Sequence, residues 1–152
     1  MRYQVTKTVS HEQGWSSAFR QWRAESHCRF IHGYALAVEF VFEADTLDSR
    51  NWVIDFGDFK PLRAHLADLF DHKTIIAIDD PLLSYFDELA AVGAIDLVVM
   101  QAVGCEAFAT LIAKETQTWL STTQYANRVR LVSIEVREHG SNAAKVVLDG
   151  QA

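Results

Sequence analysis

The segment that most constrains the fold is the run from Ile31 to Phe42, IHGYALAVEFVF. Its extended apolar pattern, with β-branched and aromatic side chains, predicts a long strand. Towards its end nearly every position is apolar, which indicates a strand buried on both faces.

Further strands are predicted near both ends of the chain. Tyr3–Val9 alternates and is rich in β-branched side chains, and Val129–Arg137 and Ala144–Leu148 alternate again. Residues 139–142, HGSN, separate the last two segments and indicate a hairpin connection. Shorter candidates are a brief strand at Asp96–Met100, a short strand or extended segment at Asn51–Phe56, and a loop or short helix at Arg20–Ser26.

Three helices are predicted between these strands, at Gly57–Phe70, Leu82–Ala91 and Cys105–Leu120. Pro61 suits the first turn of the first helix, and Gly93 ends the second. This order predicts an α+β fold, with a four-stranded antiparallel sheet and the helices packed on one face. Exposed sheet edges are often covered by pairing across subunits, so we expect a homo-oligomer.

Composition and charge exclude several classes of protein. A chain of 152 residues with 49% apolar and 22% charged residues is expected to form one globular domain over residues 1–152. The net charge of -6, without a basic cluster, argues against nucleic-acid binding. No apolar run is long enough for a membrane helix or a secretory signal, so we expect a cytoplasmic protein with reduced thiols at Cys28 and Cys105.

The segment SHCRFIHGY, residues 26–34, holds the most informative polar side chains. On a strand His32 and Tyr34 point to the same side, roughly 6.6 Å apart. His11 ends the first strand and would approach them if that strand pairs with the long one. Two imidazoles meeting at strand ends suit a zinc ion. From spacing alone, a hydrogen-bonded structural role for each histidine is the more common outcome.

Five motifs in order resemble the 6-carboxytetrahydropterin synthase family, which is related to 6-pyruvoyltetrahydropterin synthase. Residues 28–34, CRFIHGY, resemble the family's C-x-x-x-H-G-H signature. The other matches are WVIDF at 52–56 with Lys60 (V-x-D-F-x-x-L-K), FDHK at 70–73 (L-D-H), GCE at 104–106 (P-T-S-E) and REH at 137–139 (K/R-E-T). The resemblance implies the tunnelling fold, or T-fold. In that fold trimers, stacked into hexamers, form a barrel with active sites at subunit boundaries.

The resemblance also implies roles for particular residues. His11 and His32 would bind zinc, and Cys28 would be the catalytic thiol. Asp71 and His72 would form a proton shuttle. Glu138 would bind the guanidine-like edge of a pterin. Glu106 is a second substrate-binding candidate, although an acid at a helix start also has a capping role.

Tyr34 departs from the family at the third zinc-ligand position. A phenol has an ordinary pKa of about 10, so it must lose a proton to become a good ligand. Zinc could use the tyrosinate, recruit His27, or bind weakly with extra water. A fourth possibility is that no metal binds. Cys105, in the second departure, is expected to be a cap or core residue.

The function implied by the resemblance is conversion of 7,8-dihydroneopterin triphosphate to 6-carboxy-5,6,7,8-tetrahydropterin, with release of acetaldehyde and triphosphate. This step leads to 7-deazaguanine bases such as queuosine. The four-residue spacing of Cys28 and His32 favours this branch over the pyruvoyl-forming one. The alternative is a non-catalytic T-fold protein that binds a pterin or purine and has lost its metal through the change at Tyr34.

Overall fold

The computed structural model describes residues 1–149. Within them lie seven strands and three α-helices, and no helix there is long and apolar enough to cross a membrane. The strands are β1 (Tyr3–Val9), β2 (Trp15–Phe19), β3 (His32–Ala44), β4 (Lys73–Ala77), β5 (Leu97–Met100), β6 (Val129–His139) and β7 (Asn142–Val147). The helices are α1 (Lys60–Phe70), α2 (Leu83–Ala91) and α3 (Cys105–Ser121), with 3-10 turns at His11–Gln13, His27–Arg29 and Phe56–Phe59.

The sheet is mixed and seven-stranded, so the predicted four-stranded antiparallel sheet was wrong. Its order is β5-β4-β2-β3-β6-β7, and β1 also pairs with β3. The predicted strands β1, β3, β6 and β7 do pair antiparallel. The sheet also contains β2, β4 and β5, in which β4 pairs in parallel with both β2 and β5. Two of these strands were missed because β2 is short and carries two serines, and β4 is a five-residue run directly after a helix.

The long strand β3, which the sequence predicted, pairs with three other strands: β1, β2 and β6. Its first half pairs with β2, with Phe19 opposite His32 and Trp15 opposite Leu36. Its second half pairs with β1 on the same edge, ending with Val9 opposite Val38. On the other edge β6 pairs with β3 from residue 37 onwards. Residues 32–36 therefore lie beyond Ala37 and Arg137, the last pair that joins β3 to β6.

The main core lies between the sheet and helices α1 and α3. Phe108 of α3 packs edge-on against Phe19 of β2 at 5.2 Å and against Phe70 of α1 at 5.3 Å between ring centroids. All three rings are fully buried. Helix α2 instead packs on β4 and β5. Ile75 belongs to the main core, whereas the next residue, Ile76, is buried outside it, so α2 covers the opposite face. The expectation of helices on one face thus fails for α2.

Residues Asn51–Phe56, predicted as a short strand or extended segment, form no strand: bends at Asn51 and Val53 lead into the 3-10 turn that starts at Phe56. The Asp48 carboxylate accepts the backbone N–H groups of Arg50 and Trp52 at 2.8 and 2.9 Å, which curls the chain. Asp55 then accepts the N–H of Gly57 at 2.8 Å and starts the 3-10 turn that precedes α1. The helix therefore begins at Lys60, three residues later than predicted.

A buried ion pair ties the loop after β2 to the turn after β4. The Arg20 guanidinium donates to both carboxylate oxygens of Asp80, at 2.7 and 3.1 Å, and the Asp80 side chain is fully buried. Arg20→Ala would leave that charge without its partner, so we expect the free energy of unfolding to fall by about 3–5 kcal/mol. Denaturant unfolding followed by tryptophan fluorescence measures this loss.

Arg23→Ala is the matched control for this prediction. Arg23 pairs with the neighbouring Asp79 at 2.6 Å, but both side chains are exposed. Exposed ion pairs contribute little, so the denaturant midpoint should stay nearly unchanged. Equal losses in the two variants would contradict a special role for the buried pair.

Candidate active site

Four of the predicted site residues gather where β1 ends, β3 begins and β6 turns into β7. His11 follows β1 in a 3-10 turn, and its Nδ1 lies 2.7 Å from the carbonyl oxygen of Ala35 on β3. His32 and Tyr34 lie on β3, with ring centroids 5.5 Å apart. Glu138 comes from the far end of β6. The pairing of β1 with β3 is thus the contact that brings His11 to this end of the sheet.

Both predicted zinc histidines have the tautomer that a metal ligand requires. Nδ1 of His32 lies 2.8 Å from the carbonyl oxygen of Phe30, as Nδ1 of His11 does from that of Ala35. A carbonyl only accepts, so each Nδ1 carries the proton and each Nε2 presents a lone pair. Nε2 of His11 is buried and has no hydrogen-bond partner among residues 1–149. A buried nitrogen of this kind is costly unless something binds it.

Tyr34 lies at the centre of an aromatic group at this end of the sheet. Its ring centroid is 6.1 Å from that of Phe19, 5.5 Å from that of His32 and 5.8 Å from that of His139. Burial raises the pKa of the Tyr34 hydroxyl, and the negative charge of Glu138 raises it further. The phenol is therefore held in its protonated form at neutral pH.

A β-bulge places Glu138 and His139 together beside Tyr34. Arg137 pairs with Ala143 and His139 pairs with Asn142, so Glu138 is the extra residue. Consecutive residues of a regular strand point to opposite faces, but a bulge redirects them. His139 was not predicted as a site residue, because residues 139–142 were interpreted as the hairpin connection, whereas β6 extends to His139. Its Nδ1 accepts the N–H of Ser141 at 3.2 Å, so it differs from His11 and His32 in tautomer.

The two cysteines have contrasting surroundings. Cys28 is half-buried in the 3-10 turn before β3 and lies close to the Tyr34 hydroxyl. Cys105 is buried at the start of α3, as expected for a core residue. Burial, together with the carboxylates of Glu138 and Glu106, raises the pKa of the Cys105 thiol to about 12. Cys105 therefore stays a neutral thiol at physiological pH.

Asp71 and His72 form a pair at the end of α1. Nδ1 of His72 lies 3.0 Å from Asp71 Oδ1, which also accepts the N–H of Ser16 at 3.0 Å. Asp71 is the C-cap residue of α1, and His72 has a left-handed φ of 59°. The His72 side chain is 84% exposed. Within residues 1–149 no hydrogen bond or ion pair joins this pair to Cys28.

Within residues 1–149 the side chains of Glu106 and His27 make no hydrogen bond or ion pair with His11, His32, Tyr34 or Glu138, although Glu106, like Glu138, is close enough to Cys105 to raise its pKa. Glu106 is exposed in the first turn of α3, where it lines a cleft together with the loop that holds Trp22 and Arg23. Its position suits the helix-start role noted from the sequence. His27 is exposed in the loop before β3.

His11 and His32 are better zinc donors than Tyr34, which occupies the third ligand position. In residues 1–149 no group of three or more His, Cys, Asp and Glu side chains is arranged to hold a metal. The free nitrogens of His11 and His32 are suitable donors, and the partnerless nitrogen of His11 favours a bound cation. Tyr34 supplies a phenol whose pKa is raised, which weakens it as a ligand. The donor set therefore fits zinc through two nitrogens and one poor oxygen donor.

Comparison with known proteins gives the family context of this arrangement. The family model described as 6-pyruvoyl tetrahydropterin synthase matches residues 8–148. The 6-carboxy-5,6,7,8-tetrahydropterin synthase of Aquifex aeolicus is 26% identical over 101 aligned positions. That match covers 59% of this chain and 62% of the relative, so the chain spans about three-fifths of the relative's length.

Solved structures support the same fold. An uncharacterised protein of Wolinella succinogenes has a TM-score of 0.79 at 22% identity, covering 98% of this chain and 99% of that one. A 6-pyruvoyltetrahydropterin synthase of Plasmodium vivax, with cysteine in place of a catalytic glutamate, has a TM-score of 0.71 at 15% identity, covering 96% and 97%. The family resemblance predicted from the motifs is confirmed by the family model: this chain belongs to the 6-pyruvoyl tetrahydropterin synthase family.

Proposed function

We propose that this protein is a zinc-dependent synthase that converts 7,8-dihydroneopterin triphosphate and water to 6-carboxy-5,6,7,8-tetrahydropterin, acetaldehyde and triphosphate. The product would enter the route to 7-deazaguanine bases such as queuosine. The main support is the buried, partnerless Nε2 of His11 at the sheet end that also holds His32, Tyr34 and Glu138. Family membership makes a tetrahydropterin-synthase-like lyase the function that best suits this group.

Glu138 and Cys28 have the central roles in the proposal. The half-buried carboxylate of Glu138 would accept two parallel hydrogen bonds from the guanidine-like edge of the pterin. This contact would direct the side chain of the pterin towards Cys28 and the imidazoles. Cys28, as a thiolate, would then take a proton from the substrate. Zinc held by His11 and His32 would polarise an oxygen of the substrate side chain.

The Asp71–His72 pair would act as the proton shuttle. Asp71 orients the His72 ring through Nδ1, which leaves Nε2 facing solvent. Because no contact joins this pair to Cys28 within one protomer's residues 1–149, the shuttle would serve a site completed at a subunit boundary. An oligomer, expected to be a trimer or hexamer, is part of the proposal.

The direct test is incubation of the purified, zinc-loaded protein with 7,8-dihydroneopterin triphosphate. Mass spectrometry should detect the 6-carboxy product and acetaldehyde. Elemental analysis of the purified protein measures bound zinc.

Tyr34 in the third ligand position favours the alternative, a non-catalytic protein that binds a pterin or purine. Tight pterin binding without zinc and without product would establish that alternative.

Glu138→Gln is expected to weaken pterin binding about 10–100-fold, since it removes the charge from two hydrogen bonds but keeps the side-chain shape. Titration calorimetry with a dihydropterin measures the change. Glu106→Gln is the comparison variant. Its loss of pterin affinity should be smaller, because Glu106 is exposed beside the cleft lined by Trp22 and Arg23. A larger loss in Glu106→Gln would move the pterin contact to α3.

A further inference from the structure

Helix α2 carries an apolar stripe that faces away from the rest of the protein. Leu82, Tyr85, Leu89 and Val92 are spaced three, four and three residues apart and so share one side of the helix. They are 39% to 78% exposed. Leu83, Phe86 and Ala90, on an adjacent side, are the half-buried residues turned towards the sheet. We call the first four residues the exposed stripe.

The region around the exposed stripe is strongly acidic. Residues 74–113 contain six acids and no lysine, arginine or histidine, which equals the net charge of the whole chain. Three of these acids are neutralised by bases from elsewhere, in the pairs Arg20–Asp80, Arg23–Asp79 and Lys73–Asp96. Asp87 and Glu88 of α2 have no such partner within residues 1–149. The stripe therefore suits an apolar surface that is also basic.

The chain itself has a surface of this kind in the loop of residues 27–31, HCRFI, which we call the basic loop. Phe30 is 62% and Ile31 45% exposed, and the Arg29 guanidinium lies over the Phe30 ring at 5.6 Å. No acid occurs between Glu25 and Glu39. The basic loop thus combines unburied apolar side chains with positive charge, which matches the stripe in both respects.

We propose that the basic loop of one copy of this chain packs on the exposed stripe of the next copy. Two stripes facing each other would bring Asp87 and Glu88 of one copy close to the same acids of the next, so a contact between unlike surfaces is favoured. Contacts between unlike surfaces of successive copies form a ring when the rotation between copies closes. Because Cys28 lies in the basic loop, the neighbouring copy would fix the position of this thiol. The contact itself does not depend on the reaction that the protein catalyses.

Thiol cross-linking tests this contact without requiring activity. In a Cys28→Ser background, where the remaining native thiol of Cys105 is buried, Phe30→Cys and Leu89→Cys are combined. A short bifunctional maleimide should give covalent dimers and higher multimers on a denaturing gel. The matched control replaces Leu89→Cys with Ala91→Cys, which is exposed on the polar side of the same helix and should give at least about tenfold less product.

Several outcomes would overturn the proposal. Equal cross-linking from Ala91→Cys would show that the reaction reports only collisions. Cross-linking in the Leu89→Cys variant without Phe30→Cys would show that two stripes face each other. Absence of multimers would leave the stripe open to a different protein. Each result can be separated from failure of the proposed reaction, because none of them measures turnover.

Discussion

Replacing His11 or His32 with alanine is expected to abolish stoichiometric zinc binding, with affinity lowered by at least about a hundredfold. Each change removes one of the two Nε2 atoms whose lone pairs remain free, because Nδ1 of each ring is bonded to a backbone carbonyl. Tyr34→His should have the opposite effect and raise zinc affinity, since it supplies a third imidazole in place of a phenol whose pKa is raised. Competition titration with a chromophoric chelator measures all three variants and the wild type.

His65→Ala is the control for this series. His65 lies on α1, where its Nε2 is paired with Glu115 at 2.7 Å, and we expect zinc affinity to be unchanged.

His27→Ala tests the remaining candidate ligand. Wild-type affinity equal to that of Tyr34→His would mean that Tyr34 binds as a phenolate or that another residue completes the site. Absence of zinc binding in both proteins would favour the non-catalytic pterin or purine binder.

Cys28→Ser is expected to lower kcat by about 10²–10⁴-fold, the range typical for loss of a general base. A serine hydroxyl has a similar shape but cannot supply the thiolate. Alkylation of the wild type at neutral pH should accordingly label Cys28 first and stop turnover. Labelling sites are identified by peptide mass spectrometry, and turnover is followed by product formation from 7,8-dihydroneopterin triphosphate.

Cys105→Ala is the matched control, because Cys105 is buried and its pKa is raised to about 12. A neutral, inaccessible thiol reacts slowly with alkylating reagents. We expect this variant to keep most of the turnover and the labelling of Cys28. Preferential labelling of Cys105 in the wild type, with activity retained, would show that Cys28 is not the reactive thiol.

The sequence alone determined much of the outline of this protein. The bounds of β1 were predicted correctly, and those of β3, β5, α2 and α3 to within two residues, because their periodicity or apolar runs extend over enough positions. The family was also predicted, since its motifs keep their order along almost the whole chain. The candidate site at Cys28, His32 and Tyr34 came from one such motif, which is local in sequence.

Only the tertiary structure decided which distant residues meet and which way they point. The strands β2 and β4 each mix polar and apolar residues over five positions without a regular alternation, and their neighbours in the sheet place them. The bulge at Glu138 brings His139 to Tyr34, although strand alternation separates the two faces. The tautomers of His11 and His32 depend on the carbonyls of Ala35 and Phe30. Contacts of this kind arise from packing and sheet register between segments, so no local pattern in the sequence encodes them.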